Sequence, residues 1–204
     1  MALVSVAYLK EYLPELTGSS LDTELTRMIL RTEAAIARYL GFPLYDSGTS
    51  PTLDQNTYTL YLDGPKYTQS TVIQLPIKPL VSVTSVHSDV NLKYGSATLI
   101  PSASYEIDKQ NSRIYLIPED MTLAFDRGYR ALKVICSAGY NTSTPPDDLV
   151  QAILVWCSAL QRQKASQGKD SITQRGSTVK LSPRHMPTEV RELIKPFMCP
   201  LQVL

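Results

Sequence analysis

The sequence predicts an α+β fold: a small helical bundle with an inserted antiparallel β region, then a flexible basic arm before a short C-terminal helix. Three observations predict it. Apolar residues recur at helical spacing near both ends of the chain and alternate at period two through the middle, while residues 161–183 form a polar, basic run with isolated apolar side chains. At 204 residues the chain can bury a real core, and its 43% apolar and 19% charged content is that of a folded domain. The charge content is low for a freely soluble monomer, which suggests that partners cover part of the surface.

The first element is a short helix over residues 4–13, where Val6, Leu9 and Leu13 share one face and Pro14 ends the run. A second helix starts at GSSLD, with Ser19 or Ser20 as the expected cap and Asp22 and Glu24 as acids in the first turn. Leu25, Met28, Ile29, Ile36 and Leu40 form its stripe, and Gly41 ends it. Residues 44–51 read as a loop. Tyr58, Leu60 and Leu62 then alternate with Thr57, Thr59 and Tyr61 before an Asp63-Gly64-Pro65 turn. Further extended candidates are residues 71–77, 80–87, 105–107, 113–116 and 131–137, giving six or seven short strands. Pro76 and Pro79 cannot donate to a ladder, so their segment belongs at an edge or bend.

Helix returns at Thr144-Pro145-Pro146-Asp147, which offers a cap hydroxyl and a first-turn carboxylate. Leu149, Ile153, Trp156, Cys157 and Leu160 follow as an apolar stripe that needs a partner, for which the N-terminal helix is the expectation. The polar run after it cannot repay ordering by burial in its own subunit, and is compatible with a mobile arm, a long hairpin or a loop ordered on assembly. Val190, Leu193, Ile194 and Phe197 suggest a brief last helix, and Leu201, Val203 and Leu204 an apolar tail.

Twenty Lys and Arg against nineteen Asp and Glu leave no strong global field to attract nucleic acid. Cys136, Cys157 and Cys199 are odd in number and widely spaced, so reduced cytosolic assembly is expected, and no run approaches a membrane span. His87 and His185 lack metal-ligand spacing, and His87 reads as a strand-end or turn residue. Asp147 and Asp148 suit a helix start better than acid/base chemistry, and Glu119/Asp120 gives no stronger catalytic signal. Cys157 lies on a packing stripe, and no nucleophile elbow or phosphate-binding glycine motif is present. The expectation is therefore a protein that is not an enzyme and that holds no cofactor and no metal.

Two surface features remain. Tyr58, Tyr61, Tyr67, Tyr94, Tyr105, Tyr115, Tyr129 and Tyr140 crowd the strand-rich part. With little interleaved Lys or Arg in the sequence, protein contact is favoured over base stacking. The second is the series Arg162, Lys164, Lys169, Arg175, Lys180 and Arg184. Partner docking ranks ahead of a solvated loop, and that ahead of a channel lining near DNA; Phe197, Leu201 and Leu204 join the series as candidate interface residues.

Taken in order, these segments resemble the head-tail connector, or adaptor, proteins of long-tailed bacteriophages. Asp22, Leu25, Ile29, Ala35, Ile36, Tyr39, Leu40 and Gly41 suit that family's first helical pattern. Pro79, Ser82, Val83, Ser85 and Val86, then Tyr105, Ile107, Asp108, Ile114 and Leu116, suit its middle strands. Pro146, Asp148, Leu149, Ala152 and Ile153 suit its late helix, and Leu193, Ile194, Pro196 and Phe197 its ending. The resemblance implies one connector domain over residues 1–204: N-terminal helices at 1–43, a strand-rich insert at 55–140, a long core helix at 144–164, the arm at 165–186 and the terminal helix and tail at 187–204. It further implies a homo-oligomeric, dodecameric ring beneath the portal protein of the virion, joined on its other side by a stopper or tail-completion protein, with genomic DNA passing nearby and no membrane. A stopper or tail-completion protein is itself the alternative reading, followed by a DNA-binding module.

Overall fold

A computed structural model of the chain describes residues 2–67, 70–117, 124–163, 171–174, 177–180 and 186–200. In chain order its elements are α1 (Val6–Tyr12), α2 (Asp22–Leu40), β1 (Asn56–Leu62), β2 (Val72–Gln74), β3 (Leu80–Ser88), β4 (Leu99–Ile100), β5 (Tyr105–Asp108), β6 (Arg113–Leu116), β7 (Leu132–Ala138), α3 (Asp147–Gln163), β8 (Ser171–Gln174), β9 (Ser177–Lys180) and α4 (Thr188–Ile194). The fold is α+β, with antiparallel sheets and a short C-terminal helix. Two compact units divide the chain: residues 1–33 with 142–196, and residues 34–141 with 197–204.

The first unit is mainly helical. Ser5 caps α1, its hydroxyl accepting the Tyr8 N–H at 3.1 Å, and the helix turns Leu9 fully inward. The serines ahead of α2 do not hold the cap position: Leu21 does, its carbonyl accepting from Leu25 N–H at 2.9 Å. Ser19 instead closes the preceding turn, its carbonyl accepting from Asp22 N–H at 3.2 Å. Helix α3 likewise starts two residues later than a Thr144 cap would place it, and the Pro146 carbonyl accepts from both Leu149 and Val150 N–H. Proline suits the helix entrance, where an N–H would lack an intrahelical acceptor.

Helix α3 buries Leu149, Val150, Ala152, Ile153, Leu154 and Cys157. Two partners cover it. Helix α4 packs on it and buries Val190 and Ile194, while α2 meets it where the Cys157 sulfur lies 3.6 Å from Thr32 Oγ1. The expected N-terminal partner is thus joined by the short last helix. Also buried here is Glu33, whose Oε1 accepts the Leu3 N–H at 2.6 Å and the Val4 N–H at 3.3 Å. The polar run contains a backbone hairpin, β8 against β9, with Ser171 opposite Lys180 and Gln174 opposite Ser177.

The second unit is mainly strand and holds two sheets. One has the order β1-β7-β3-β4 and the other β2-β6-β5, all paired antiparallel. Strand β7 is its centre: Leu132, Val134, Cys136 and Ala138 are buried at alternate positions, and Tyr58, Leu60 and Leu62 of β1 bury alongside. Each such fully buried aliphatic side chain stabilises the fold by about 1.5–3 kcal/mol. The extended candidate at 71–77 shortens to β2, with the Leu75 N–H still donating to the Ser112 carbonyl at 2.9 Å in the register of the β2–β6 pair. Pro76 and Pro79 fall in the bend that carries the chain from one sheet to the other, where their missing donors cost little. Strand β3 slips register at Leu80/Ser82 and Val83/Ser85, which leaves its middle residues partly exposed while Leu80 and Val86 stay buried.

Gly139 leaves β7 at φ +110°, and a Cβ there would lie 2.5 Å from the Asp54 carbonyl oxygen. Only glycine allows this approach, which brings Asp54 and Tyr140 into a parallel bridge. After α4 the chain returns to this unit. Phe197 stands edge-on to Tyr140 at 5.9 Å between centroids, and Cys199 N–H reaches the Leu40 carbonyl at 2.8 Å.

Candidate interaction surfaces

The three thiols are packed away. Burial pushes the Cys136 thiol up to about 12 and those of Cys157 and Cys199 up to about 11, so all three behave as small hydrophobes. The Tyr58 hydroxyl is buried without a hydrogen-bond partner among the described residues, and burial raises its pKa well above the usual tyrosine value. His87 lies in β3 opposite Leu99 and Lys133, a strand position like the one its sequence context suggested. Among the described residues no group of three or more His, Cys, Asp or Glu is placed to hold a metal ion, and no helix is long and apolar enough to cross a membrane.

Of the basic series, Arg162 is exposed in the last turn of α3 and Lys180 is the final residue of β9. Lys164, Lys169, Arg175 and Arg184 lie outside the described residues, as do His185, Glu119, Asp120, Leu201 and Leu204. Phe197 is half-buried against Tyr140 of its own chain. Of the sequence-predicted interface residues, Arg162, Lys180 and Phe197 thus fall within the described residues.

Among the described residues the structure builds one aromatic and basic patch. Strand pairing sets Tyr61 of β1 directly opposite Lys133 of β7. Into this corner comes Tyr94, carried by a loop whose geometry Asp89 dictates. The Asp89 carboxylate accepts from the N–H groups of Asn91 (2.8 Å), Lys93 (3.0 Å) and Tyr94 (2.9 Å), and these bonds, that of Asn91 foremost, hold its pKa below the usual value. Leu92 and Tyr94 take φ of 58° and 48° to close the loop. Tyr61 and Tyr94 rings then lie 5.5 Å apart, and the Arg130 guanidinium stacks 4.4 Å above the Tyr61 ring. Lys133 Nζ sits 5.7 Å from the Tyr94 centroid and 6.0 Å from that of Tyr61. Arg130 is pinned by its backbone: its N–H donates to Asp63 at 2.7 Å and its carbonyl accepts from the Tyr94 hydroxyl. Exposed Val90 and Leu92 precede Tyr94 in its loop, and exposed Tyr129 precedes Arg130. Each residue was visible in the sequence, but no sequence spacing links them; the alternating tyrosines of β1 were the only signal.

No protein-family model matches the chain, and no curated protein does. Solved structures do. A chain in the neck of an empty gene transfer agent particle, computed with C6 symmetry, is 19% identical, over 99% of this chain and 92% of that one, at a TM-score of 0.58. A chain in the neck of the native gene transfer agent particle, computed with C12 symmetry, is also 19% identical, over 98% and 90%, at 0.57. A chain of the native gene transfer agent virion is 18% identical, over 99% and 92%, at 0.59. From end to end, then, the α+β fold of this chain is similar to that of chains in the neck and virion of gene transfer agent particles.

Proposed function

We propose that this chain is a structural neck subunit of a phage-type particle, an adaptor that forms a ring beneath the portal and joins the DNA-filled head to the tail. The observation that carries the reading is the near full-length fold likeness to chains of a particle neck treated with sixfold and twelvefold symmetry. The order of the connector-like segments in the sequence supports it independently, from Asp22 through Gly41 to the Pro146 and Leu193 helices. A neck subunit acts by assembly rather than turnover: many weak, identical contacts repeated by symmetry add to a firm joint. In this role the basic series that begins at exposed Arg162 supplies positive charge toward an acidic partner surface or the DNA channel.

The helices favour an adaptor over a stopper or tail-completion protein, a class dominated by strands. The test is multi-angle light scattering of the chain with purified portal rings of the same particle at low and moderate salt. Co-migration as a closed ring on the portal is expected. Absence of binding under both conditions overturns the adaptor reading and puts the tail-completion alternative first.

A further inference from the structure

Around Tyr61 and Tyr94 the charges are unevenly used. Asp63 accepts from Arg130 N–H, Asp89 from three backbone N–H groups, and Asp126 from Ser88 Oγ at 2.9 Å. Each of these acids is engaged by a backbone N–H or a hydroxyl donor. Among the described residues neither Arg130 nor Lys133 is paired with a carboxylate, and both instead lie against tyrosine faces. Tyr61 remains 40% exposed. An aromatic floor carrying cations without a carboxylate partner is the composition of a protein contact's centre, where Tyr and Arg dominate. Base stacking fits it less well, since the Arg130 guanidinium already covers the Tyr61 face that a base would use.

The complementary surface is on the same chain, in α1. Residues 8, 11 and 12 fall on one helical face, which exposes Tyr8 (47%) and Tyr12 (40%) with Glu11, and exposed Glu15 follows just beyond the helix end. The opposite side buries Leu9 and Leu13, so this orientation is fixed by the core. The only base in α1, Lys10, is ion-paired with Asp22, which leaves Glu11 and Glu15 to set the charge of the ridge.

Resting on the neck reading for the idea of repeated copies, we propose that the α1 ridge of one copy, Tyr8, Glu11, Tyr12 and Glu15, docks on the Tyr61, Tyr94, Arg130 and Lys133 patch of the next. The contact is heterologous: two different surfaces of the chain meet, and repetition produces a ring when the rotation closes. Its centre is aromatic, and the two glutamates supply the carboxylates that Arg130 and Lys133 lack.

Charge reversal tests the pairing. One variant carries Arg130→Glu and Lys133→Glu, the other Glu11→Arg and Glu15→Arg; circular dichroism and thermal melts check that each is folded. All four sites are exposed or half-exposed, so native melts are expected. Sedimentation velocity over a concentration series then compares wild type, each variant and their equimolar mixture. Each variant alone places like charges across the contact and associates roughly tenfold or more weakly than wild type. In the mixture every contact pairs opposite charges again, and association returns. Wild-type association by either variant alone, a mixture that stays dissociated, or a wild-type chain monomeric at every concentration overturns the contact. Portal binding is scored separately. Portal-bound wild type with self-associating variants removes the contact and keeps the neck reading, whereas wild type that oligomerises but ignores the portal does the reverse.

Discussion

Replacing Glu33 by alanine removes a buried carboxylate that ties Leu3 and Val4 to α2. Glu33 is 4% exposed and accepts two backbone N–H groups, at 2.6 Å from Leu3 and 3.3 Å from Val4. The first is a short, charge-assisted bond and contributes about 1.5–3 kcal/mol, while the second is past the usual distance range and contributes about 0.5 kcal/mol. The N–H groups left behind belong to buried residues, Leu3 and Val4, and face a desolvation cost rather than water. Alanine returns a few tenths of a kcal/mol in helix propensity. The net expectation for Glu33→Ala is a loss of about 2–3 kcal/mol in urea unfolding, with Glu33→Gln losing about half as much because its carbonyl oxygen still accepts without the charge. Amide hydrogen exchange at Leu3 and Val4 accelerates in the alanine variant ahead of the α3 core. A loss below about 0.5 kcal/mol, or unchanged exchange at those two amides, refutes the account of Glu33 as the anchor.

Gly139→Ala forces a Cβ to 2.5 Å from the Asp54 carbonyl at φ +110°, and calorimetry should show a destabilisation of about 3 kcal/mol or more. The three thiols bind protons more tightly in the fold (about 11 to 12) than at their ordinary value of 9.0, so their contribution to stability is intact below pH 9 and falls as pH rises toward 11. Urea midpoints that decline over this alkaline range, and thiols that react with a disulfide reagent only on unfolding, are the expected results. Asp89 works in the opposite sense: its lowered pKa gives stability that is present above about 3.8 and lost as pH falls through the folded value. Asp89→Ala should blunt this acid loss, and faster amide exchange at Asn91, Lys93 and Tyr94 should accompany it in nuclear magnetic resonance.

Local pattern made the long elements legible. The stripes of α2 and α3, the alternation of β1 and the Arg113–Leu116 strand follow from side chains that bury on one face at period 3.6 or two. Helix starts were less legible, since the serines before α2 and Thr144 before α3 have the chemistry of caps but the backbone enters each helix at Leu21 and Pro146. Strand β4, two residues long, has no period to detect; its existence depends on the pairing of Ile100 with Val86.

By itself the sequence determined the fold class, the positions of the main helices and strands and the burial of Cys157, because those depend on the chemistry of near neighbours. The tertiary structure decided that the strands of the second unit divide into two sheets, that Glu33 anchors the N-terminal segment, and that the basic residues which meet tyrosines are Arg130 and Lys133. Tyr61 and Lys133 become neighbours only through the β1–β7 register, and Tyr94 joins them only because Asp89 folds its loop. Contacts between residues so far apart in the chain leave no periodic trace in it; they exist once the loops between them have been closed by burial and hydrogen bonds elsewhere.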